Sequence, residues 1–584
     1  MDMAYADHKP QRRSSDDSDL FTQLFSERSV ILELCKERAK LAKKRNDKQF
    51  LHRISKRISP VNSQDLEFEV MFPSRRKWHS YRPGKRDASS SYELNTKGLF
   101  RAVLRLRVLE QHETWAVRIK EQVDRIRGRV FSEEKFVFSA PKIHPIEKEK
   151  GGHKYGPLAV FPLDDKIIDC LTARYLRRTL DGALRDSCLA FRCGKDGNRP
   201  PTIHDALLQL LNVNRRHRNA GLYVAECDIK SFYDCVAHSV ARNALSDLML
   251  DAKRRNQELR VDSRALAIYD AYLRAYSFQR NVKSRQESLL ANKDALGEFS
   301  SPGNELQQCH GVTAPDDVGV PQGGAISCFI ANVVLHDADK KLDRLKRKGS
   351  FRYLRYCDDM ILLASELKVC ERAYACYSDA LNANLLPMHK AMPVVKYAAT
   401  FWKGKSKAPY FWGRDDRDEA VPWIQFVGYQ VRYDGLVRVR PSSLKKQKQK
   451  MTEVADDLLS ALNPGRRRRG PIPPFAIELR KSNNQITHRL RQKLMSMTVG
   501  RVRLGTSSEG PRPMCWANGF KGLWGRRTIP ESLKVLDRHR ERQVRRIIKR
   551  PSARPKHKSK KSDAKNVLPY YGSPFSFLAQ FRRR

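Results

Sequence analysis

The chain has 584 residues and a mass of 67.4 kDa, a length that suggests about two to four domains. Apolar residues make up 40%, with 24 Phe and 20 Tyr, which excludes a wholly disordered chain. Lys and Arg number 113 against 65 Asp and Glu, a net charge of +48. Such an excess points to a polyanionic partner, nucleic acid first and an anionic membrane surface second. No run of about 18 uncharged apolar residues occurs, so no membrane span is expected, and the first residues lack the apolar stretch of a secretion signal. The 12 cysteines form no C-x-x-C pair. That spacing argues against a zinc cluster or disulfide framework and for reduced core cysteines in a cytoplasmic protein.

Residues 1–19 are polar. From Leu20 to about Lys48 the apolar residues Leu20, Leu24, Val30, Ile31, Leu34 and Leu41 recur at near-helical spacing, predicting one or two amphipathic helices. Residues 158–180 read as a strand, a turn and a helix, and 222–236 as a strand running into a polar turn. The charged stretch 250–315 shows no clear apolar period until Ala267–Phe278, and reads as an insertion between core elements. Pro464, Pro471, Pro473 and Pro474 mark a linker. Residues 461–584 carry 32 Lys and Arg against 6 Asp and Glu, more than half of the net charge on a fifth of the chain. This excess makes the C-terminal part the expected RNA-binding region, with Arg466, Arg467, Arg468, Arg469, Trp516, Arg545 and Arg546 as candidate contacts.

Two places hold acidic residues in unexpected settings. Asp228 closes the strand-like run Tyr223–Cys227 and is followed by Phe232 and Tyr233. Asp358 and Asp359 interrupt two alternating apolar runs, Phe351–Tyr356 and Met360–Ala364, which predicts a hairpin with a carboxylate pair at its tip. Adjacent carboxylates repel and resist burial, and they persist on an exposed turn or beside a hard cation such as Mg²⁺. Three carboxylates from two strands suffice for two such ions, one activating a hydroxyl and one stabilising a leaving pyrophosphate. Between these places lies Pro321-Gln322-Gly323-Gly324, whose glycines let backbone approach a ligand closely.

Asp228 with Tyr233, then PQGG, then Tyr356-Cys-Asp-Asp359 resembles reverse transcriptase, with the motifs in that family's order. Further resemblance lies in Phe191–Gly194 with His204-Asp205-Ala206, in Leu385–Lys390, in Phe426-Val-Gly-Tyr429 and in Arg440–Ser443, together covering about residues 154–445. The resemblance implies an α+β right-hand polymerase. Its parts would be an N-terminal helical extension (1–100), fingers (101–217), a palm (218–435) containing the insertion, and a helical thumb with the basic C-terminal region (436–584). It also implies that Asp228, Asp358 and Asp359 are catalytic metal ligands. Ile229 joins both the metal and the nucleotide sets. Two Mg²⁺ ions are the expected cofactor, with Mn²⁺ as a substitute. Tyr233 would be the steric gate against a ribose 2′-hydroxyl, with Gln322 and Gly323 beside the incoming nucleotide. Lys390 would protonate pyrophosphate, with His389 as a rival. Tyr356, Phe426, Gly428 and Tyr429 would meet primer or template. Gly156 stands where the family has a triphosphate-gripping arginine, which leaves Lys154 or Lys166 for that task.

The implied function is RNA-directed DNA polymerisation from deoxynucleoside triphosphates, with template RNA and DNA product as partners. One cysteine, Cys515, follows residue 445, so the paired cysteines of an intron-type endonuclease are absent. With the long stretch before Pro321-Gln322-Gly323-Gly324, this makes the chain resemble most the bacterial defence-associated reverse transcriptases, which work with a structured noncoding RNA and in some cases a second reverse transcriptase or effector protein, or as oligomers. The alternatives are a group II intron-type maturase and a non-catalytic RNA-binding scaffold on the same fold.

Overall fold

The computed structural model describes residues 17–55, 68–83, 91–148, 152–194, 200–217, 220–292, 297–346, 350–393, 399–414, 423–462 and 528–548, with six isolated positions between 490 and 523. Arg466–Arg469 and Trp516 lie outside them. The described part is α+β. Its organising element is a five-stranded sheet of order β5-β6-β3-β8-β7, made of β3 (Leu222–Cys227), β5 (Phe351–Tyr356), β6 (Asp359–Ala364), β7 (Ala391–Met392) and β8 (Ser406–Trp412). β3 lies antiparallel between β6 and β8. It thereby brings residues about 130 and 180 positions downstream alongside it.

Side-chain alternation along the strands divides two cores. On one face Ala225, Cys227, Met360, Leu362, Phe351 and Tyr353 join the larger core. On the other, Leu222, Val224, Ile361 and Leu363 join a second core. The larger core is completed by the helices Leu163–Leu180, His238–Arg255 and Ala325–Val334 and by the N-terminal helices Asp17–Leu24 and Glu27–Ser55. The second core takes the helix Ile203–Arg216 and the C-terminal helices Pro441–Leu462 and Thr528–Ile548. A sheet covered on both faces explains why β6, Asp-Met-Ile-Leu-Leu-Ala, is apolar at five consecutive positions rather than alternating.

Two smaller sheets flank this one. β1 (Lys142–Glu147) and β2 (Lys154–Val160) form a hairpin extended by β4 (Glu298–Phe299), and β9 (Ile424–Phe426), β10 (Tyr429–Val431) and β11 (Val437–Val439) form a meander. The helices expected near Leu20–Lys48 are present. The helix Ser91–Leu109 runs across the expected boundary at residue 100. Part of the stretch read as an insertion packs into the larger core. In the helix Ser263–Arg274, Ala265, Ile268, Tyr269, Tyr272 and Leu273 are buried at helical spacing. The apolar period was there, but its short length is masked by the charged residues before it.

Candidate active site

The paired carboxylates stand where the sheet ends. β5 and β6 close a two-residue turn, Cys357-Asp358, between the paired Tyr356 and Asp359. Cys357 adopts φ +61, a left-handed conformation unusual for a residue with a side chain. β3 ends beside this hairpin, so Asp228 follows the last paired residue, Cys227, opposite Met360. Antiparallel pairing of β3 with β6 therefore brings together three aspartates separated by about 130 residues. Burial pushes the Asp358 carboxyl up, and Asp228 pushes it further. Burial, then Asp358 and Asp228, raise Asp359 to about 7. These are like charges within electrostatic reach of one another.

Asp228 is met by Lys405, which the motifs did not reveal, and by His389, the rival to Lys390. Lys405 Nζ lies 3.3 Å and His389 Nε2 3.4 Å from Asp228 Oδ2, and Lys405 Nζ lies 3.1 Å from His389 Nε2. Burial, then the Lys405 ammonium, hold the His389 pKa below its usual value. The Asp228 N–H donates to the buried Ser406 Oγ at 2.9 Å. Residues 387–389 are fixed to this loop by Lys230 N–H donating to Pro387 C=O and His389 N–H donating to Asp228 C=O. Lys390 itself is exposed, at the edge of this cluster. Lys405 and Ser406 are delivered by the pairing of β8 with β3, and no local signal in the sequence marks them.

Tyr233 is half-buried, with its hydroxyl 3.6 Å from Cys357 Sγ and its ring edge-on to Phe232. It spans from the turn after Asp228 to the tip of the carboxylate hairpin. The turn is tight, since Ser231 has φ +45. Gln322 donates to the buried Asp234 at 2.8 Å, and its carbonyl accepts from the Ala159 N–H of β2. Gly323 has φ +110, and a Cβ at Gly324 would overlap the Tyr272 hydroxyl. Both glycines are thus required by backbone geometry. Asp169 accepts from the N–H groups of Ala325 and Ile326, the start of the following helix. Ile229 is buried and bridges Met388.

Other expected residues fall elsewhere. Lys154 opens β2 and is exposed. Lys166 is paired with Glu37 of the N-terminal helix at 2.6 Å, while the adjacent Asp165 is buried against Arg129. Phe426 and Tyr429 are buried, and the Tyr429 hydroxyl lies 2.8 Å from His204 Nε2. Only the turn between them, Val427 with φ +45 and Gly428 with φ +83, offers backbone to a ligand, as a type I′ hairpin does. Tyr356 packs partly against the second core. Arg545 pairs with Glu541, and Arg546 with Asp456.

Among the described residues no three Asp, Glu, His or Cys side chains close around one ion position, so the aspartates form an open cluster of oxygen donors. The donor chemistry fits a hard divalent cation. Asp358 and Asp359, whose ionisation burial and neighbouring carboxylates disfavour, gain from a nearby cation, and hard oxygens are the ligands Mg²⁺ prefers.

Residues 146–391 match the family model for reverse transcriptase (RNA-dependent DNA polymerase). No curated protein matches the chain. Among solved structures it is similar to a Candida tropicalis apo telomerase truncated from its C-terminal domain. The identity is 13% over 52% of this chain and 55% of that one, with a TM-score of 0.29. The match thus spans about half the length of that telomerase. A Candida albicans telomerase in complex with a TWJ fragment of telomeric RNA aligns at 12% identity over 84% of this chain and 78% of that one, TM-score 0.29. The Candida tropicalis apo telomerase aligns at 11% over 92% and 94%, TM-score 0.33. The segment that carries Asp228, PQGG and the Asp358-Asp359 hairpin is the segment the family model covers, and residues 146–391 are therefore a reverse transcriptase domain, of the RNA-directed DNA polymerase class of nucleotidyltransferases.

Proposed function

We propose that the chain synthesises DNA on an RNA template by nucleotidyl transfer at Asp228, Asp358 and Asp359. The observation that carries this reading is the convergence of these carboxylates at the ends of β3 and β6, where Asp228 raises the cost of charging Asp358, and both raise the cost of charging Asp359. The fingers, palm and thumb would follow the boundaries given above. Asp228, Asp358 and Asp359 would hold two Mg²⁺ ions, with Mn²⁺ as substitute. When bound, such ions make a primer 3′-hydroxyl a better nucleophile and offset charge on the departing pyrophosphate. Tyr233 would restrict the space under the sugar, and Gln322, held by Asp234, would line the nucleotide. His389 and Lys405 stand nearest Asp228 and are better placed than Lys390 to donate a proton or hold a phosphate. The basic C-terminal region would bind a structured noncoding RNA, and the setting we favour is bacterial antiphage defence. The charge of residues 461–584 supports the RNA partner, and the long stretch before Pro321 supports the resemblance on which the defence setting rests.

Asp358→Ala tests the assignment. Nucleotide addition should fall about 10³-fold or more, while the melting temperature holds or rises slightly, because a carboxyl whose ionisation the fold disfavours has been removed. Wild-type rates from a folded Asp358→Ala protein would remove the catalytic assignment.

A further inference from the structure

The residue three positions before the first hairpin aspartate is an arginine with no access to solvent. Arg355 lies on β5, on the face turned to the larger core, and both it and its partner Asp339 are 0% exposed. The guanidinium engages Asp339 as a fork, Nε donating to Oδ1 at 2.9 Å and Nη2 to Oδ2 at 2.5 Å. The Tyr353 hydroxyl donates to the same carboxylate at 2.9 Å. Nη1 is left to reach forward, donating to the Cys357 carbonyl at 3.0 Å and to Asn332 Oδ1 at 3.3 Å. Asn332 is itself fixed, since its Nδ2 donates to the Ala190 carbonyl and its Oδ1 accepts from Cys188 Sγ. The backbone of Arg355 is held from the outer edge of the sheet. Its N–H donates to Ser187 C=O and its C=O accepts from Leu189 N–H.

Every one of these contacts except one ties core to core. The exception is Nη1 to Cys357 C=O, which ties the core to the turn that carries Asp358. That turn needs a restraint. Cys357 holds a left-handed φ of +61 without being glycine, a conformation the chain leaves unless surrounding contacts enforce it. A buried ion pair is also a poor way to gain stability, because apolar residues of similar volume commonly do as well or better. Its fork geometry, by contrast, fixes direction.

We propose that Arg355, anchored by Asp339, is a positioning residue for the reaction: it holds the Cys357 carbonyl and thereby aims the Asp358 turn at Asp228. The inference rests on the reading of that turn as catalytic. Arg355 is closed off from solvent and acts only through the turn, so its loss should lower turnover and weaken metal binding while leaving nucleotide affinity nearly intact. Lysine cannot replace it, because one ammonium cannot engage both Asp339 oxygens and still reach Cys357.

Two variants separate positioning from folding. Arg355→Lys keeps the charge. The double variant Arg355→Met with Asp339→Leu removes both charges together, so that neither is left buried alone. Amide hydrogen exchange is followed through residues 356–359 and, as an internal control, through Ile361–Leu363. The expected result is exchange about tenfold faster or more at the turn with unchanged protection in β6. With it, kcat should fall about 10- to 100-fold, as for an angstrom-scale misplacement. The KM for deoxynucleotide should stay within about twofold, and half-saturation should move to higher Mg²⁺. Unchanged exchange at 356–359 in either folded variant overturns the proposal, as does faster exchange with wild-type kcat and Mg²⁺ dependence. A wild-type protein that adds no nucleotide would instead overturn the polymerase reading, and the exchange measurement alone would then decide whether the pair holds the turn.

Discussion

Three residues with positive φ sit on the turns that approach the candidate site: Ser231 after Asp228, Cys357 before Asp358, and Val427 before Gly428. Strained backbone of this kind persists where surrounding contacts over-determine it, and here each instance turns the chain sharply where two strands or a strand and a helix meet. Tyr233 illustrates how such a turn places a side chain. Its ring is carried from the Ser231 turn to the hairpin tip, ending 3.6 Å from Cys357 Sγ. Tyr233→Ala should therefore open space beside the sugar and raise ribonucleotide incorporation relative to deoxynucleotide incorporation, measured by competition on one template. Tyr233→Phe, which keeps the ring, should retain the preference. An unchanged ratio in Tyr233→Ala would make this a packing residue. Asp228, Asp358, Asp359, Gln322 and Tyr233 were legible because each belongs to a short contiguous motif. Lys405 and Ser406 were not, because their approach to Asp228 depends on the register of β8 against β3 across about 180 residues of chain.

Among the elements, the helix Ala325–Val334 shows how buried acids take the place of ordinary caps. Its Ncap residue is Gly324, which has no side chain to offer. Asp169, from the helix Leu163–Leu180, supplies both oxygens to the Ala325 and Ile326 N–H groups instead. Burial raises its carboxyl to about 6 despite those two bonds. The pKa of an unfolded aspartate is near 3.8, so the folded state binds this proton more tightly. Its contribution to stability is then greatest below about pH 4 and declines as pH rises to about 6, by about 1.4 kcal/mol per pH unit of that interval. Chemical denaturation of wild type against Asp169→Asn should show this as a difference. The variant should lose less stability between pH 4 and pH 6, and equal slopes would refute the assignment. The same paired glycines that make PQGG visible in the sequence conceal this device, since an aspartate within Lys166-Ile-Ile-Asp-Cys-Leu reads as an ordinary helix surface. The three strands around the site were readable from their short apolar runs and the polar residues that bound them. The helix Ser263–Arg274 was legible only in part: an apolar period was readable from Ala267, but so short a run beside a long charged stretch did not mark it as core.

For the whole molecule, a net charge of +48 is the ground for expecting a polyanionic partner. The described part of the C-terminal region is already arginine-rich, with Arg538, Arg540, Arg542, Arg545 and Arg546 on one helix. Arg546 is held to Asp456 and Arg545 to Glu541. These pairs are exposed and cost little to exchange for phosphate. Binding to a structured RNA should therefore weaken steeply with salt, about 10³-fold or more between about 50 and 200 mM if six or more phosphates are contacted. Neutralising Arg466–Arg469 should flatten that slope, whereas a slope and affinity indifferent to these changes would place the RNA elsewhere. A specific partner would appear as one dominant RNA co-purifying from the native host, and a random mixture would contradict it.

Whether the carboxylates at the ends of β3 and β6 direct template-dependent DNA synthesis is decided by extending a labelled DNA primer on a defined RNA template with purified protein and Mg²⁺, then sequencing the product. The expected result is deoxynucleotides added in the order complementary to the template, with one pyrophosphate released per addition, and no extension by Asp228→Ala. Extension that persists in Asp228→Ala, or no synthesis by the folded wild-type protein with its RNA bound, would contradict it.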